Sequence, residues 1–289
     1  MQKTSSRFRL QSSAFTRNDD TEKISPKKMI FLSVEGDETE RTYFDNLNEY
    51  LDDSLIKIEV LRHKRGDGYS DPIYVIELLE EYIKLRDGKL IPEELPPAFT
   101  EKYPKEFIQK YLSDDIKLTR EERKQFSEDL FKIGIDLEYR QYLKTFSKDT
   151  DYFAIVLDRD CKSHSKKLMQ ECVDKCNQSN YGCFISNPCF EFWLLLHLCN
   201  VKKEFSPTQL DELYSNPTIS NKHTLVSFQV SERAHHKKSI SKNTFTKFYY
   251  PNISNALNNS KDFATDFPEL FDNLGSNLPK LLSIIGFNT

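Results

Sequence analysis

The chain has 289 residues, with 41 Lys and Arg against 45 Asp and Glu, a formal charge of −4, and 38% hydrophobic residues that include 21 Phe and 14 Tyr. That length admits one large domain or two ordinary ones, and the aromatic content can fill a core, which excludes wholesale disorder. With 8 glycines and neither a Walker A loop nor a dinucleotide fingerprint, glycine-rich phosphate loops are excluded too.

No apolar run reaches the roughly 20 residues of a membrane span; Glu191 interrupts the longest, at 190–198. The opening MQKTSSRFRLQSSAF has no apolar signal core, which leads us to expect a cytoplasmic protein without a membrane role. Six cysteines lie between Cys161 and Cys199 with no C-x-x-C pair, so zinc and disulfides are both disfavoured and core thiols are expected.

In chain order, residues 1–27 carry Lys3, Arg7, Arg9, Arg17, Lys23 and Lys27 among polar residues and read as a flexible basic tail. Met29–Val34 is a continuous apolar run ended by Glu35-Gly36, the pattern of a buried strand. Tyr43, Phe44, Leu47, Tyr50 and Leu51 then mark one face of a helix. Residues 55–61 alternate as a second strand. Asp71-Pro72 suits a helix start, and Ile73, Ile76, Leu79, Tyr82 and Ile83 carry that helix to Asp87-Gly88. Strand, helix, strand, helix is the order of an open, mainly parallel α/β sheet of Rossmann-like type with helices on both faces, spread here over 28–88 and 150–200.

Between them, 89–149 is dense in charge, with prolines at 92, 96, 97 and 104, and reads as a helical insertion. Tyr152–Leu157 is the next buried strand, closing on Asp158-Arg159-Asp160; a helix with Leu168, Met169, Cys172, Val173 and Cys176 on its apolar face follows. Residues 181–185 make a fourth strand, and Asn187-Pro188 is expected to open a buried helix over 189–198. The region 201–289 reads as mostly helical, with helices near 207–214 and 277–286.

Ligands of such a sheet gather beyond the carboxyl ends of its strands. There the chain delivers Glu35, Asp158, Asp160, Ser186 and Asn187, with Glu40 in the first turn of the next helix. Residues spaced by two on an extended segment project to one side, so Asp158 and Asp160 share a face. Carboxylates converging at one edge repel unless a cation sits between them, and oxygen-only ligands suit Mg²⁺ or Mn²⁺. Turn and cap carboxylates are the other reading of each of these acids.

Val34-Glu35-Gly36 followed by Thr39-Glu40-x-x-Tyr43-Phe44, and the run Ile185-Ser186-Asn187-Pro188-Cys189-Phe190-Glu191-Phe192-Trp193-Leu194-Leu195-Leu196-His197, resemble the RloB-like family, with Asp158-Arg159-Asp160 between them and a looser echo at Asn273–Leu278. The resemblance implies a Toprim-like domain, as in OLD-type nucleases, primases and topoisomerases. It also implies a bacterial phage-defence setting, with an AAA-type ATPase partner that this chain is too short to include. It makes Glu35 the acid–base glutamate, Asp158 and Asp160 metal-binding aspartates, and Glu40 a further carboxylate at the metal. The expected activity is a Toprim-type Mg²⁺- or Mn²⁺-dependent nuclease cutting phosphodiester bonds of DNA or RNA, tRNA among the candidates. The alternatives are a non-catalytic subunit that binds nucleic acid or the ATPase, and, last, a nucleotide-sugar transferase with a D-x-D motif.

Glu191 can ligate metal, hold a basic residue or favour the positive helix end. His197 reads as a core histidine or a residue behind the site, and Asn187 as a helix cap or a substrate contact. Three basic stretches are candidates for nucleic-acid contact as well as ordinary solvated faces: Arg62, Lys64 and Arg65; Lys162, Lys166 and Lys167; and Lys237, Lys238 and Lys242. In the third, Phe245, Phe248, Tyr249 and Tyr250 are interleaved and are expected to stack on bases. A homodimer paired through 89–149 or the C-terminal third is also expected.

Overall fold

A computed structural model describes residues 28–36, 38–52, 55–61, 71–113, 115–144, 150–221, 223–235 and 239–287. The basic tail expected over 1–27 lies outside them, as do Arg62, Lys64, Arg65, Lys237 and Lys238. The described residues fall into two compact units, the smaller within 81–146 and the larger holding the rest.

The larger unit is an α/β sandwich of Rossmann-like type. Strands β1 (Lys28–Val34), β2 (Ile56–Val60), β3 (Tyr152–Asp158), β4 (Gly182–Asn187) and β5 (Gly275–Ser276) form one sheet in the order β2-β1-β3-β4-β5. The first four are parallel and β5 is antiparallel to β4. Strands buried on both faces read as continuous apolar runs rather than alternations, which is the pattern of β1 and β3. Ile30, Leu32 and Val34 register with Tyr152, Ala154 and Val156, and Val156 with Phe184, so these residues share one face. That face packs with the apolar sides of α1 (Thr39–Asn48) and of α8 (Phe190–Leu198), which is apolar except for Glu191 and His197. On the opposite face, Ser33 Oγ donates to Val75 O of α2 (Pro72–Asp87) at 2.7 Å. Helix α7 (Lys166–Ser179), with Met169, Cys172, Val173 and Cys176 buried, is started by Ser165, whose Oγ accepts Leu168 N–H. Chain order 2-1-3 places the reversal of strand direction of growth between β1 and β3, where such sheets open a crevice.

The smaller unit begins inside α2, eight residues before the insertion expected at 89. It contains α3 (Pro97–Lys102), α4 (Lys105–Leu112), α5 (Arg120–Lys132) and α6 (Leu137–Lys144), packed around Phe99, Tyr103, Ile108, Phe126 and Leu130. A capping box between Thr119 and Glu122 starts α5.

After α8 come α9 (Val201–Glu204), α10 (Pro207–Ser215), α11 (Leu225–Ala234), α12 (Lys242–Thr244), a π-helical turn (Phe245–Tyr249), α13 (Ile253–Asn259) and α14 (Leu278–Ile285). Two expectations fail here. Asn187 is not the cap of α8: it is the last residue of β4, its Nδ2 donates to Leu270 O at 2.8 Å, and the cap position falls on Cys189. Nor are the C-terminal aromatics a stacking surface. Phe245 and Tyr249 are fully buried against Tyr43, and Phe248 and Tyr250 pack partly buried on the same core. Interleaved charge on the other side of a helix turn made core residues look like surface ones. Cys172 and Cys176 are buried thiols on the apolar face of α7, and Cys189 and Cys199 are buried around α8, whereas Cys161 is exposed. No helix among the described residues is long and apolar enough to cross a membrane.

Candidate active site

β1 ends where its apolar run meets Glu35, and β3 where its own meets Asp158. The two ends are tied together: Glu35 N–H donates to Val156 O at 3.0 Å, and Glu35 Oε2 accepts the N–H of Asp158 at 3.0 Å. Asp158 Oδ1 in turn accepts the N–H of Phe190 at 2.8 Å, which seats this carboxylate on the first turn of α8. Glu40, in the first turn of α1, is buried and folds back so that Oε1 accepts Gly36 N–H at 3.1 Å. A Cβ on Gly36 would lie 2.0 Å from that carboxylate, so glycine is what lets Glu40 approach the β1 end. Asp160 N–H donates to Pro188 O at 2.9 Å, and its Oδ2 accepts Ser163 Oγ–H at 2.8 Å.

Burial sets the electrostatics. Loss of hydration pushes the Glu35 carboxyl up to about 8, against the Asp158 N–H and helped by the neighbouring charges of Glu40, Asp160 and Asp71. Asp158 is likewise raised well above the usual carboxylate range, by burial first and then by Glu40, Glu35 and Glu191. Among the described residues neither has a Lys or Arg ion pair; Glu35 faces His164 Nε2 at 3.8 Å. These are buried, oxygen-only, mutually repelling donors without a Lys or Arg partner among the described residues, the chemistry that a hard divalent cation satisfies. In this arrangement no three His, Cys, Asp or Glu side chains among the described residues converge on one ligating point. Donor chemistry therefore fits a metal, with the carboxylates not closed into a cage among the described residues.

His164 appeared in the sequence only as part of a charge run, yet it is buried at the centre of this group. Its Nδ1 lies 3.2 Å from Asp158 O, an acceptor only, which places the ring proton on Nδ1 and turns Nε2 toward Glu35. Arg159, also buried, donates from Nε to Phe271 O at 3.0 Å and from NH1 to His164 O at 2.6 Å, pinning the 158–164 loop. No periodicity marks either residue, because each is fixed by backbone carbonyls distant in sequence or around a tight loop.

Asp158, Asp160, Lys162 and Glu191 line a cavity of about 410 Å³ together with residues of the α10–α11 connection. Glu191 thus faces the same space as the two aspartates. His197 does not: it sits among Tyr43, Trp193 and Tyr249, with Nδ1 donating to Trp193 O at 3.0 Å and Nε2 accepting from Tyr43 OH at 3.2 Å. Burial pushes it down to about 4, so it is a neutral core residue at physiological pH. Of the basic residues, Lys166 pairs with Asp272 at 2.5 Å, Lys167 with Glu171 at 3.7 Å and Lys242 with Glu49. Lys162 is the described one that lines the cavity, its Nζ 3.2 Å from Asn216 O.

Asn273–Leu278, the weaker echo in the sequence, lies beside the site. Ser276 Oγ meets Ser186 Oγ at 2.9 Å, while Asn277 Oδ1 accepts Ile185 N–H at 2.6 Å and its Nδ2 donates to Cys183 O at 3.0 Å. An amide side chain here completes the edge of β4 as a strand would.

The model of a known family, described as RloB-like protein, matches residues 30–285, which spans both units and every acid of the site. No curated protein and no solved structure matches the chain.

Proposed function

The chain belongs to the RloB-like family, and on that premise we propose that it is a Mg²⁺- or Mn²⁺-dependent nuclease of Toprim type that hydrolyses phosphodiester bonds. One observation carries the reading: Glu35 and Asp158 are buried side by side at the crevice between β1 and β3, both driven toward protonation, with no Lys or Arg ion pair among the described residues to offset them. A fold maintains such an arrangement against its own stability when a cation is to be held. Glu35, Asp158 and Asp160, with Glu40 behind them and Glu191 lining the same cavity as the aspartates, are the residues to hold it. When bound, a divalent cation polarises a phosphoryl oxygen and acidifies water.

The chain's own groups do the rest. Phe190 N–H fixes Asp158, and Asp158 N–H fixes one oxygen of Glu35, which leaves Glu35 Oε1 as the atom that takes or returns a proton. His164 sits behind that atom, and Lys162 at the cavity offers the charge that draws a phosphate in. An effector role in phage defence with an ATPase partner is the setting that this family suggests. A second reading, a binding subunit without turnover, is favoured by the absence among the described residues of a closed three-ligand group.

The test is cleavage of total tRNA, single-stranded DNA and plasmid by the purified chain with Mg²⁺ or Mn²⁺, beside Glu35→Gln and Asp158→Asn. Cleavage lost in both folded variants supports the nuclease. A wild-type chain that binds nucleic acid without cutting it, alone or with the ATPase, establishes the binding subunit instead.

A further inference from the structure

The cavity that Asp158, Asp160 and Glu191 line also holds an imidazole from outside the acid group. His223, in the α10–α11 connection, is the one histidine of its described lining. The connection turns on a bridge between Thr218 and Thr224, and the His223 backbone makes that turn. Its N–H donates to Ser220 Oγ at 3.2 Å, and its O accepts the N–H groups of Ile219 at 3.0 Å and Ser220 at 3.2 Å. The ring has no part in these bonds and is held separately, from α11. Ser227 Oγ–H donates to Thr224 O at 3.1 Å, so that oxygen meets His223 Nδ1, 3.4 Å away, as an acceptor. A ring proton therefore sits on Nδ1. Nε2 has no hydrogen-bond or ion-pair partner among the described residues. A histidine oriented through one nitrogen with the other left open is the arrangement of an acid–base residue.

Hydrolysis of a phosphodiester needs a group of this kind. The bond that breaks leaves an electron pair on an alkoxide oxygen, and a proton delivered there lowers the barrier. The other groups of the cavity are less suited to deliver it. The carboxylates are the ones to hold the cation, Lys162 Nζ donates to Asn216 O at 3.2 Å, and burial raises the Cys189 thiol well above its usual range. An imidazole gives and takes a proton near neutral pH.

We propose that His223 is the general acid of the site and donates its Nε2 proton, as imidazolium, to the oxygen that leaves phosphorus. A water oxygen forms a bond to phosphorus while the bond from phosphorus to the leaving strand breaks. The electron pair of the broken bond stays on the leaving oxygen, which takes the His223 proton and departs as a hydroxyl. The proton lost by the water goes to Glu35 Oε1, and exchange with solvent returns both side chains to their starting states. This rests on the nuclease reading of the same site and adds its proton donor.

The experiment compares the full chain with His223→Ala and His223→Gln on total tRNA, single-stranded DNA and bis(p-nitrophenyl) phosphate, with Mg²⁺ or Mn²⁺. Nitrophenolate leaves without a proton, so the ester bypasses a general acid. On whichever nucleic acid is cut, both variants are expected to lose about 100-fold in kcat at unchanged KM, and about threefold or less on the ester. Free imidazole is expected to restore cleavage of nucleic acid by His223→Ala but not by His223→Gln, whose side chain fills the space. The ring is only half-buried, so both variants are expected to melt with the wild type. Unchanged cleavage, a rise in KM alone, an equal loss on nucleic acid and ester, or a loss in His223→Ala that imidazole does not repair overturns the assignment and leaves the nuclease standing. Where the wild type leaves the ester uncut, the imidazole arm decides alone. If the wild type cuts neither nucleic acid nor ester, the nuclease reading falls and the assignment falls with it.

Discussion

At neutral pH burial beside other carboxylates holds Glu35 and Asp158 toward the protonated form, and ionising them costs the fold. A carboxyl whose folded pKa is raised stabilises the fold at low pH and loses that contribution as pH rises through the folded value. For Glu35 the loss runs from about 4.5 to about 8. Glu35→Gln and Asp158→Asn keep the acceptors for Asp158 N–H and Phe190 N–H, so in EDTA at pH 8 we expect both to melt above the wild type. The gain should be roughly 2–4 °C for each kcal/mol of repulsion removed. Added Mg²⁺ should raise the wild-type melting temperature and leave that of Asp158→Asn where it was; an equal rise in both would argue against these ligands.

His197 has the opposite slope. Its folded pKa is depressed from 6.5 to about 4, so its contribution is present at neutral pH and is lost as pH falls across that interval. The loss is on the order of 3 kcal/mol at 1.36 kcal/mol per unit. Urea unfolding of the wild type should show this decline between pH 6.5 and 4, and His197→Gln should show a flatter one on a lower starting stability. His164 differs again, since it touches Glu35 rather than the core. As a positioning residue, it predicts that His164→Gln lowers kcat about tenfold, with KM unchanged, in whichever cleavage assay is positive. A rise in KM alone would assign it to binding.

The β1–α1 turn and the β5 edge make two narrower predictions at the level of elements. Gly36→Ala has to move the Glu40 carboxylate, which would otherwise lie 2.0 Å from the new methyl. We expect Mg²⁺-dependent stabilisation to fall sharply with little change in the EDTA melting temperature. β5 is held by shape as well as by hydrogen bonds: a Cβ at Gly275 would sit 1.9 Å from Ala264 O, which is backbone and cannot yield as a side chain does. Asn277→Ala would leave Ile185 N–H and Cys183 O without their partner and should cost about 2 kcal/mol. The strands and helices around the site were readable because their signals are local: buried parallel strands are continuous apolar runs, and Ser165 and Pro72 are where a helix start needs them. β5 was not readable. Two residues have no periodicity, and what defines them as a strand is a partner almost ninety positions away, at Ser186 and Asn187.

Across the described residues, two compact units that each hold an apolar cluster predict two calorimetric transitions, one for the 81–146 helices and one for the sheet. Mg²⁺ should shift only the latter. A single transition, or a shift in both, would show that the units unfold together.

Composition and pattern by themselves determined the α/β class, the four parallel strands and the fact that acids end β1 and β3, since each depends on residues within a few positions of one another. Tertiary structure alone decided which polar groups meet. It put His164 and Arg159 beside the acids, sent His197 and the 245–250 aromatics into the core, tied up Lys166, Lys167 and Lys242 in ion pairs, and brought the α10–α11 connection to the cavity that Asp158 lines. The physical reason is range. Hydrophobic period and capping act along the chain, whereas burial, counter-charge and hydrogen-bond partnership depend on segments up to about two hundred residues apart, as between Thr42 and Ile240.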